Sequence, residues 1–458
     1  MCLISETVVS ETVVSERFAM IFFDRSEEMD SLRRIRGLSE KQAQFTVVTG
    51  RRRIGKTSLV RKAYEEDDLV YFFVGRKSEP DLCEDFCREI GEKLPGTLIG
   101  RVDRFADIFE LLMKLSCQRQ ITLFIDEFQE FFRVNKSVYS DMQRLWDLYK
   151  DRSRMNLIVC GSIYSLMDKI FKDKKEPLFG RVTQFIGVYP FRTRVLKEIL
   201  KYYSPGYTPE DLLALYSFTG GVPKYVELLM DSGMTSRAQM LDAIVRRDSV
   251  FIDEGKAILI EEFGKDYGVY FSILSAIARG KNTRAEIEDL VGREIGGYLT
   301  RLEKDYTLIS KRQPLFTKSE TKHVYYNLDD DFLIFWFRFI YKYNYILEID
   351  GYEKVRQIIE HDYSTFSGWM LERYFWKVLR ESGCYTRIGS WCDRKGENEI
   401  DIIAEDEINT SAVFYEVKRQ ARNISLKTLQ RKAEIFLKTT GAFQDYQIAY
   451  QGVSMEDM

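Results

Sequence analysis

The sequence is poor in the side chains that build zinc sites, and it lacks any long apolar run. It contains only 2 histidines, His323 and His361, and its 7 cysteines follow no regular spacing. Cys83 and Cys87 are one helical turn apart, but a structural zinc site needs four such ligands together. No apolar run approaches the ~18 residues that a membrane-spanning helix requires, and no signal peptide is recognisable. We therefore expect a cytoplasmic protein with reduced thiols and no membrane segment.

An excess of charge of one sign is also missing. The 458 residues include 68 basic and 71 acidic side chains, a net charge of −3. Bulk electrostatics therefore do not indicate a nucleic-acid binder, and any such surface has to be local. Hydrophobic residues make up 45% of the chain and aromatic residues 14%, which is enough apolar material for several packed cores. The length itself predicts about three domains.

The stretch Gly50–Thr57 matches the phosphate-binding loop G-x-x-x-x-G-K-[ST] and follows the apolar, β-branched run 45–49. Glycines let backbone N–H groups surround a phosphate, and the helix predicted to follow points its positive end at the same place. Lys56 is expected to reach the β- and γ-phosphates of ATP, and the Thr57 hydroxyl to hold Mg²⁺. An ordinary glycine turn with exposed cations is the alternative. The predicted nucleotide-binding residues of this loop are Gly50, Arg51, Arg52, Arg53, Ile54, Gly55, Lys56, Thr57 and Ser58.

Polar side chains follow two further predicted strands. The run 121–125 is almost wholly apolar, as a strand buried on both faces requires, and Asp126 and Glu127 come directly after it. Open α/β sheets place their chemistry at this carboxyl end. Asp126 is expected to bind Mg²⁺ through water and Glu127 to polarise the attacking water, with a helix cap or turn as the alternative. Ser162 follows the run 157–160 and is predicted to sense the γ-phosphate, unless it marks an ordinary strand-ending turn.

Alternating strand and helix patterns predict an α/β fold, with a parallel P-loop NTPase sheet that helices cover on both faces. Residues 1–20, which repeat Ser-Glu-Thr-Val-Val, are predicted to be an unstructured tail before an ATPase core over 21–195. A helical lid is predicted over 196–250, where Gly220-Gly221-Val222-Pro223 ends one helix and starts the next. Three helices and two strand-like runs predict a winged helix over 251–345, with Lys318 and Lys322 in the loop between the strands. The apolar stretch 332–340 is predicted to be a buried packing helix.

The segment 355–450 presents acidic residues in two successive strand patterns, Asp401 in the first and Glu416 with Lys418 in the second. Alternation puts Glu416 and Lys418 on one face of their strand. Two carboxylates bind a hard divalent cation, and a neighbouring lysine stabilises the charge that develops when a phosphodiester is attacked. Glu372, in a helix predicted over 366–379, lies among apolar residues and is expected to need a partner. A solvated edge strand with ion pairs is the alternative.

These motifs together resemble those of the archaeal-type ATPases of the AAA+/STAND group that carry a C-terminal restriction-endonuclease-like domain. The resemblance extends from Phe22 to about Tyr450. Its last motif resembles the PD-(D/E)xK nuclease core, although Ile400-Asp401 replaces the usual Pro-Asp. The motifs that carry the resemblance are the arginine-rich phosphate loop, L-F-I-D-E-F-Q, Gly161-Ser162, Leu178–Arg181, Gly220–Pro223 and E-I-D-I-I with Y-E-V-K.

The resemblance implies roles that the residues alone do not. Arg181 is implied to be an arginine finger, supplied by a neighbouring subunit of a homo-oligomer or by lid closure, with a structural ion pair as the alternative. Pro223 is implied to mark the contact of the lid with the nucleotide. Asp24-Arg25 is implied to pack near the adenine.

Two functions stay open at this point. In the first, the chain is an ATPase that acts on DNA, with a winged helix that docks on duplex and a C-terminal domain that cleaves it with Mg²⁺. In the second, it is a STAND-type signalling ATPase whose winged helix and C-terminal domain bind protein. The balanced charge favours the second function, and the set Asp401, Glu416 and Lys418 favours the first. The first is also favoured by a late basic stretch that contains Lys418, Arg419, Arg422, Lys427, Arg431 and Lys432.

Overall fold

The computed structural model describes residues 22–65, 69–97, 100–264, 267–316, 324–393 and 397–458. The predicted tail and the loop lysines Lys318 and Lys322 lie outside these ranges. No helix among the described residues is long and apolar enough to cross a membrane.

A five-stranded, wholly parallel sheet forms the centre of the first half of the chain. Its strands are β1 (Gln44–Thr49), β2 (Leu69–Phe73), β3 (Ile121–Asp126), β4 (Met155–Cys160) and β5 (Gln184–Gly187), in the spatial order β2-β3-β4-β1-β5. Every residue of β3 and β4 is buried, because these strands are central and helices cover both faces. The predicted P-loop sheet is therefore confirmed. The carboxyl ends of β3, β4 and β1, which the predicted site residues follow, lie side by side at one end of the sheet.

Among the described residues, seven helices cover this sheet, and each face has its own apolar core. The smaller core joins Leu32 and Ile35 of the first helix to Val48 and Phe124 of the sheet. The larger core contains Phe72, Phe86, Phe105 and Leu112 on the other face. The helices are α1 (Ser26–Ser39), α2 (Lys56–Ala63), α3 (Glu79–Lys93), α4 (Phe105–Ser116), α5 (Phe131–Val134), α6 (Ser137–Tyr149) and α7 (Tyr164–Lys172), with a 3-10 turn at Phe128–Glu130.

Four helices follow the sheet: α8 (Thr193–Tyr203), α9 (Pro209–Thr219), α10 (Pro223–Met230) and α11 (Arg237–Ile244). A capping box between Thr208 and Asp211 starts α9, and Gly220 ends it in the left-handed conformation with φ 61°. A side chain at Gly220 would approach the Phe332 nitrogen to 2.9 Å, so this position accepts only glycine. Pro223 then opens α10, as the sequence predicted.

The middle of the chain contains α12 (Val250–Phe263), α13 (Tyr267–Ala278), α14 (Arg284–Val291) and α15 (Gly296–Lys304). An antiparallel pair of strands follows, β6 (Ile309–Arg312) and β7 (Tyr325–Leu328). The predicted buried helix over 332–340 is indeed buried, but it is irregular. It begins as α16 (Asp331–Phe335), continues as a π-helix over Trp336–Tyr341 and is followed by α17 (Asn344–Leu347).

The C-terminal part is a four-stranded sheet between two helices. Its elements are α18 (Tyr352–Ser382), β8 (Arg387–Cys392), β9 (Glu399–Asp406), β10 (Ser411–Val417), α19 (Leu426–Thr440) and β11 (Gln447–Val453), with 3-10 turns at Ala421–Asn423 and Met455–Asp457. The strands lie in the order β11-β10-β9-β8. The helix α18 is much longer than the helix that the sequence placed over 366–379. Its apolar residues share a core with Ile402 and Tyr415 on one face of the sheet, and α19 covers Ile403 and Phe414 on the other.

Candidate functional site

The phosphate loop lies between the end of β1 and the start of α2. Gly50 has to be glycine, because a Cβ there would come within 2.5 Å of the Val188 carbonyl oxygen at the end of β5. Gly55 turns the chain into α2 with φ 85°. The buried Lys56 ammonium donates to the Gly50 and Arg51 carbonyl oxygens, each at 2.9 Å. Burial lowers the pKa of Lys56, and the carboxylates of Glu127 and Asp126 partly oppose this effect.

Thr57 and Asp126 meet at the expected metal position. The Thr57 hydroxyl donates to Asp126 Oδ2 at 2.7 Å, and the Tyr71 hydroxyl donates to the same oxygen at 3.2 Å. The other oxygen, Oδ1, accepts from the Cys160 thiol at 2.7 Å and from the Glu127 N–H at 2.9 Å. A hydroxyl beside an ionisable carboxyl suits Mg²⁺, which keeps several waters and takes oxygens from the nucleotide phosphates. Among the described residues, no group of three or more His, Cys, Asp or Glu forms a metal cage.

Glu127 and Ser162 are also brought together. Ser162 Oγ donates to Glu127 Oε2 at 2.7 Å, and Gln129 Nε2 donates to the same oxygen at 2.6 Å. Glu127 itself has a left-handed backbone, with φ 53°, which is unusual for a residue with a side chain. Strain of this kind is common where a side chain has to hold a defined position. Here it places the Glu127 carboxylate next to Ser162, which follows the neighbouring strand β4.

A cleft of about 290 Å³ opens beside the phosphate loop. Pro223 and Arg25 line it, together with Arg53, Phe191 and Ser58, and the nucleotide roles implied for Pro223 and for the segment 24–25 stay predictions. The Arg25 guanidinium lies over the Phe191 ring at 5.3 Å and donates to the Tyr189 carbonyl oxygen. Aromatic and guanidinium faces suit a planar base. Asp24 does not line this cleft.

The three arginines of the phosphate loop each pair with a carboxylate from outside the ATPase sheet. Arg51 pairs with Asp330 at 2.8 Å, and Arg53 pairs with Glu254 at 2.8 Å. Arg52 pairs with Glu261. The sequence placed all three among the nucleotide-binding residues, but their side chains contact carboxylates of α12 and of the residue before α16.

Arg181 lies away from the phosphate loop of its own chain. Its guanidinium pairs with Asp147 at 3.0 Å. Arg181 stands two residues before Thr183, whose N–H donates to the carbonyl oxygen of Phe45 at the start of β1. The phosphate loop follows the opposite end of that strand. Lid closure would therefore have to move Arg181 a long way to bring it to the nucleotide, and this route stays a prediction. The ion pair that the sequence offered as the alternative is present, and a role for Arg181 in a neighbouring subunit stays a prediction.

In the C-terminal domain, Asp401, Glu416 and Lys418 converge. Lys418 Nζ lies 3.2 Å from Asp401 Oδ2 and 3.9 Å from Glu416 Oε1. Asp401 also accepts the Val417 N–H at 2.8 Å. Burial raises the pKa of Glu372 of α18 to about 8, and the nearby charges of Asp401 and Glu399 add to this effect. Arg419 of the basic stretch pairs with Glu210 of the lid at 2.5 Å, which removes it from any open basic surface.

Sequence reasoning missed the residues that hold Asp126 and Glu127 in place. Tyr71 and Cys160 act through contacts between neighbouring strands, which no local motif encodes, whereas Gln129 contacts Glu127 from two positions along the chain. The only available signal was that Gln129 ends the motif L-F-I-D-E-F-Q.

Comparison with known proteins agrees with this geometry. Residues 22–229 match the family described as an ATPase domain predominantly from Archaea, and residues 336–432 match a family of archaeal and bacterial proteins of unknown function. An uncharacterized protein of Methanocaldococcus jannaschii is 29% identical over 441 residues, 94% of each chain.

Two solved structures share the fold at low sequence identity. The Walker-type ATPase of Pyrococcus abyssi aligns with 69% of this chain and 96% of its own, with a TM-score of 0.53 and 19% identity. The ORC2 protein of Aeropyrum pernix aligns with 75% of this chain and 98% of its own, with a TM-score of 0.50 and 14% identity. At such identities the likeness shows the fold alone.

Proposed function

We propose that this chain, which belongs through residues 22–229 to the predominantly archaeal ATPase family, binds ATP with Mg²⁺ and hydrolyses its γ-phosphate. The observation that carries the proposal is the pairing of Thr57 with Asp126 beside the pairing of Ser162 with Glu127. Mg²⁺ held at Thr57 and Asp126 would supply charge neutralisation on the phosphates.

The side chains of Lys56, Glu127 and Ser162 then bind the phosphates and orient the attacking water. Lys56 leaves its two carbonyl partners and places its ammonium on the β- and γ-phosphates. Glu127 accepts a hydrogen bond from the attacking water and orients it, while Ser162 holds the carboxylate in place. Positioning of this kind supplies most of the rate in phosphoryl transfer, because the protein makes no covalent bond to the phosphate.

Two substitutions test the ATPase proposal. Lys56→Ala is expected to abolish ATP binding, and Glu127→Gln to abolish turnover while ATP binding stays. Glu110→Gln on α4 is the matched control, since this half-buried carboxylate contacts Lys114 and Tyr149 and none of the predicted site residues. Phosphate release and ATP binding are measured on the same samples. Normal turnover by Glu127→Gln would remove Glu127 from the role of water-orienting residue.

A second function is favoured by the convergence of Asp401, Glu416 and Lys418 beside Glu372. We propose that the C-terminal domain binds DNA and cleaves its phosphodiester backbone. Asp401 and Glu416 would hold Mg²⁺, and the Lys418 ammonium would stabilise the negative charge that develops on the attacked phosphate. Exposed cations of the basic stretch, such as Lys427 and Arg431, would contact neighbouring phosphates.

Plasmid nicking in Mg²⁺ tests the cleavage step. Lys418→Ala is expected to lose nicking, whereas Lys62→Ala on the ATPase surface, an equal loss of charge, is expected to retain it. Equal nicking by wild type and Lys418→Ala would exclude Lys418 from the mechanism. Binding is tested separately, because contacts with DNA phosphates make the affinity fall steeply as salt rises.

The signalling function stays a distinct alternative. It is favoured if the chain hydrolyses ATP but shows no salt-dependent binding to duplex DNA. The helices α13–α15 and the strands β6 and β7, which we interpret as a winged helix, would then bind protein. Oligomerisation through Arg181 is tested by mixing Arg181→Ala with Glu127→Gln subunits, since a finger supplied in trans restores activity only across an interface.

A further inference from the structure

The phosphate loop is tied by every one of its arginines to parts of the chain outside the ATPase core. Arg53 makes a two-pronged contact with Glu254, from Nε to Oε1 at 2.8 Å and from Nη2 to Oε2 at 3.4 Å. Arg51 binds Asp330 Oδ2 at 2.8 Å and the Thr307 carbonyl oxygen at 2.6 Å. Arg52 pairs with Glu261. We name these pairs the phosphate-loop latch.

The helix α12, which carries Glu254 and Glu261, also holds the other side of the nucleotide site. Glu262 accepts the Tyr164 N–H and the Ser165 hydroxyl, each at 3.0 Å. These residues start α7, directly after the segment that contains Ser162. One helix from outside the core therefore contacts both the phosphate loop and the segment that holds Glu127.

The partners of the latch belong to a separate packed body. A single apolar core extends from Phe191 through α12 and α16 to Val453, and it includes the lid and one face of the C-terminal sheet. The ATPase sheet has its own two cores. The latch thus joins the ATPase core to the body that is built around the apolar core from Phe191 to Val453.

We propose that the phosphate-loop latch opens when ATP binds, because the triphosphate and the carboxylates Glu254, Glu261 and Asp330 compete for the same three guanidinium groups. The inference rests on the proposed binding of ATP. In this proposal, Arg51, Arg52 and Arg53 respond to the negative charge of a bound triphosphate and so transmit nucleotide binding to the rest of the chain.

Electrostatics give the direction of the effect. In the closed latch the three arginines already have anionic partners, so an approaching triphosphate has to displace those carboxylates before it can use the guanidinium groups. Arg52 and Arg53 keep 37% and 40% of their side-chain surface exposed, so solvent and anions reach the arginine side of both pairs. Glu254 is held more firmly, because it is 9% exposed and also accepts from the Tyr225 hydroxyl. By linkage, the factor by which bound ATP weakens the latch equals the factor by which the closed latch weakens ATP binding.

Affinity measurements test the competition. Mg²⁺-ATP binding to the full chain is measured by calorimetry for wild type, Glu254→Gln, Glu261→Gln, Asp330→Asn and the triple variant. Asparagine at 330 can still cap α16, where Asp330 accepts the Leu333 N–H. The triple variant is expected to bind ATP about 5- to 100-fold more tightly, the usual range of coupling between sites. Glu360→Gln is the control, because it breaks the 2.6 Å pair with Arg237 inside the second body and is expected to leave affinity within about twofold.

A second readout separates an opening latch from a mere change of local charge. Small-angle scattering is expected to show a larger radius of gyration for wild type with Mg²⁺ and a non-hydrolysable ATP analogue than without them. The triple variant is expected to be expanded already without nucleotide, and Glu360→Gln to behave as wild type.

Each failure has its own meaning. Unchanged or weaker ATP binding by the triple variant overturns the latch and leaves the ATPase proposal intact. Tighter binding without any nucleotide-dependent expansion of wild type also overturns it, since the effect is then local charge alone. Failure of wild type to bind ATP at millimolar concentration overturns the ATPase proposal and, with it, the latch.

Discussion

Gly161→Ala tests how tightly the segment after β4 is packed against the residues that hold Glu127. Gly161 is buried, and its backbone needs no glycine conformation, so the effect of a methyl group is purely steric. The added Cβ would overlap Gln129 Oε1 and would lie 2.5 Å from Met167 Sδ. The Met167 side chain can rotate away, but Gln129 Nε2 is bound to Glu127 Oε2 at 2.6 Å. Moving Gln129 therefore moves the water-orienting carboxylate.

The size of the effect follows from these contacts. Overpacking of a buried position lowers the free energy of unfolding by about 1–3 kcal/mol. A displacement of Glu127 by about 1 Å is expected to lower kcat by roughly 100-fold. ATP affinity is expected to stay within about threefold of wild type, because Lys56 and Thr57 do not contact Gly161.

Phosphate release, ATP binding and chemical unfolding are measured for this variant and for Gly91→Ala. Gly91 lies in α3, and a Cβ there meets no atom within 4 Å, so the control is expected to be neutral or stabilised by up to about 1 kcal/mol. A destabilised Gly161→Ala protein with normal kcat would refute the role of Gln129. A protein with normal stability and normal kcat would refute the packing itself.

Three further outcomes are expected. Burial and the nearby Asp401 raise the pKa of Glu372 to about 8, so the folded chain keeps a proton that the unfolded chain releases near pH 4.5. Relative to Glu372→Gln, wild-type stability in urea therefore falls by about 3 kcal/mol between pH 5 and 8, and a constant difference would contradict the shifted pKa. Tyr71→Phe removes one hydrogen-bond donor to Asp126. It should lower the apparent affinity for Mg²⁺ a few-fold in ATPase assays and change the free energy of unfolding by no more than about 1.5 kcal/mol. Gly220→Ala should lower the melting temperature through strain at φ 61°, and an unchanged melting curve would show that the helix end relaxes freely.

The parts of the candidate nucleotide site could be located from the sequence because they are local. The phosphate loop depends on eight consecutive residues, and the pair Asp126-Glu127 directly follows an apolar strand. Once a parallel sheet is assumed, residues at the ends of adjacent strands must meet, which is how Ser162 comes to contact Glu127. Strand alternation placed Glu416 and Lys418 on one face, but the sequence left open whether Asp401 joins them, which the structure shows.

Contacts between distant segments were out of reach. Arg51 meets Asp330 across 279 positions, and Arg53 meets Glu254 across 201. No periodicity links such residues, so the sequence could assign the arginines only to their loop. The start of α18 was missed for a related reason. The outward side chains of its first turns are polar, and the inward ones, Val355 and Ile359, are buried only by packing against earlier parts of the chain. The role of Arg181 was assigned by resemblance. Within its own chain, Arg181 lies near the start of β1, at the opposite end of the sheet from the phosphate loop.

The distribution of apolar cores limits how the parts of the chain can move. The helices α8–α11 share a core with α18, and polar contacts reinforce that link, among them those of Thr193 with Glu381, with the N–H at 2.9 Å, and of Arg237 with Glu360 at 2.6 Å. Breaking such a core exposes many large side chains, each of which contributes about 1.5–3 kcal/mol by burial. Opening the latch breaks three ion pairs whose arginines are partly exposed, which contribute less than the core does. We therefore expect any nucleotide-driven displacement of α8–α11 to carry α18 and Lys418 with it, and we expect the contacts at the phosphate loop to break first.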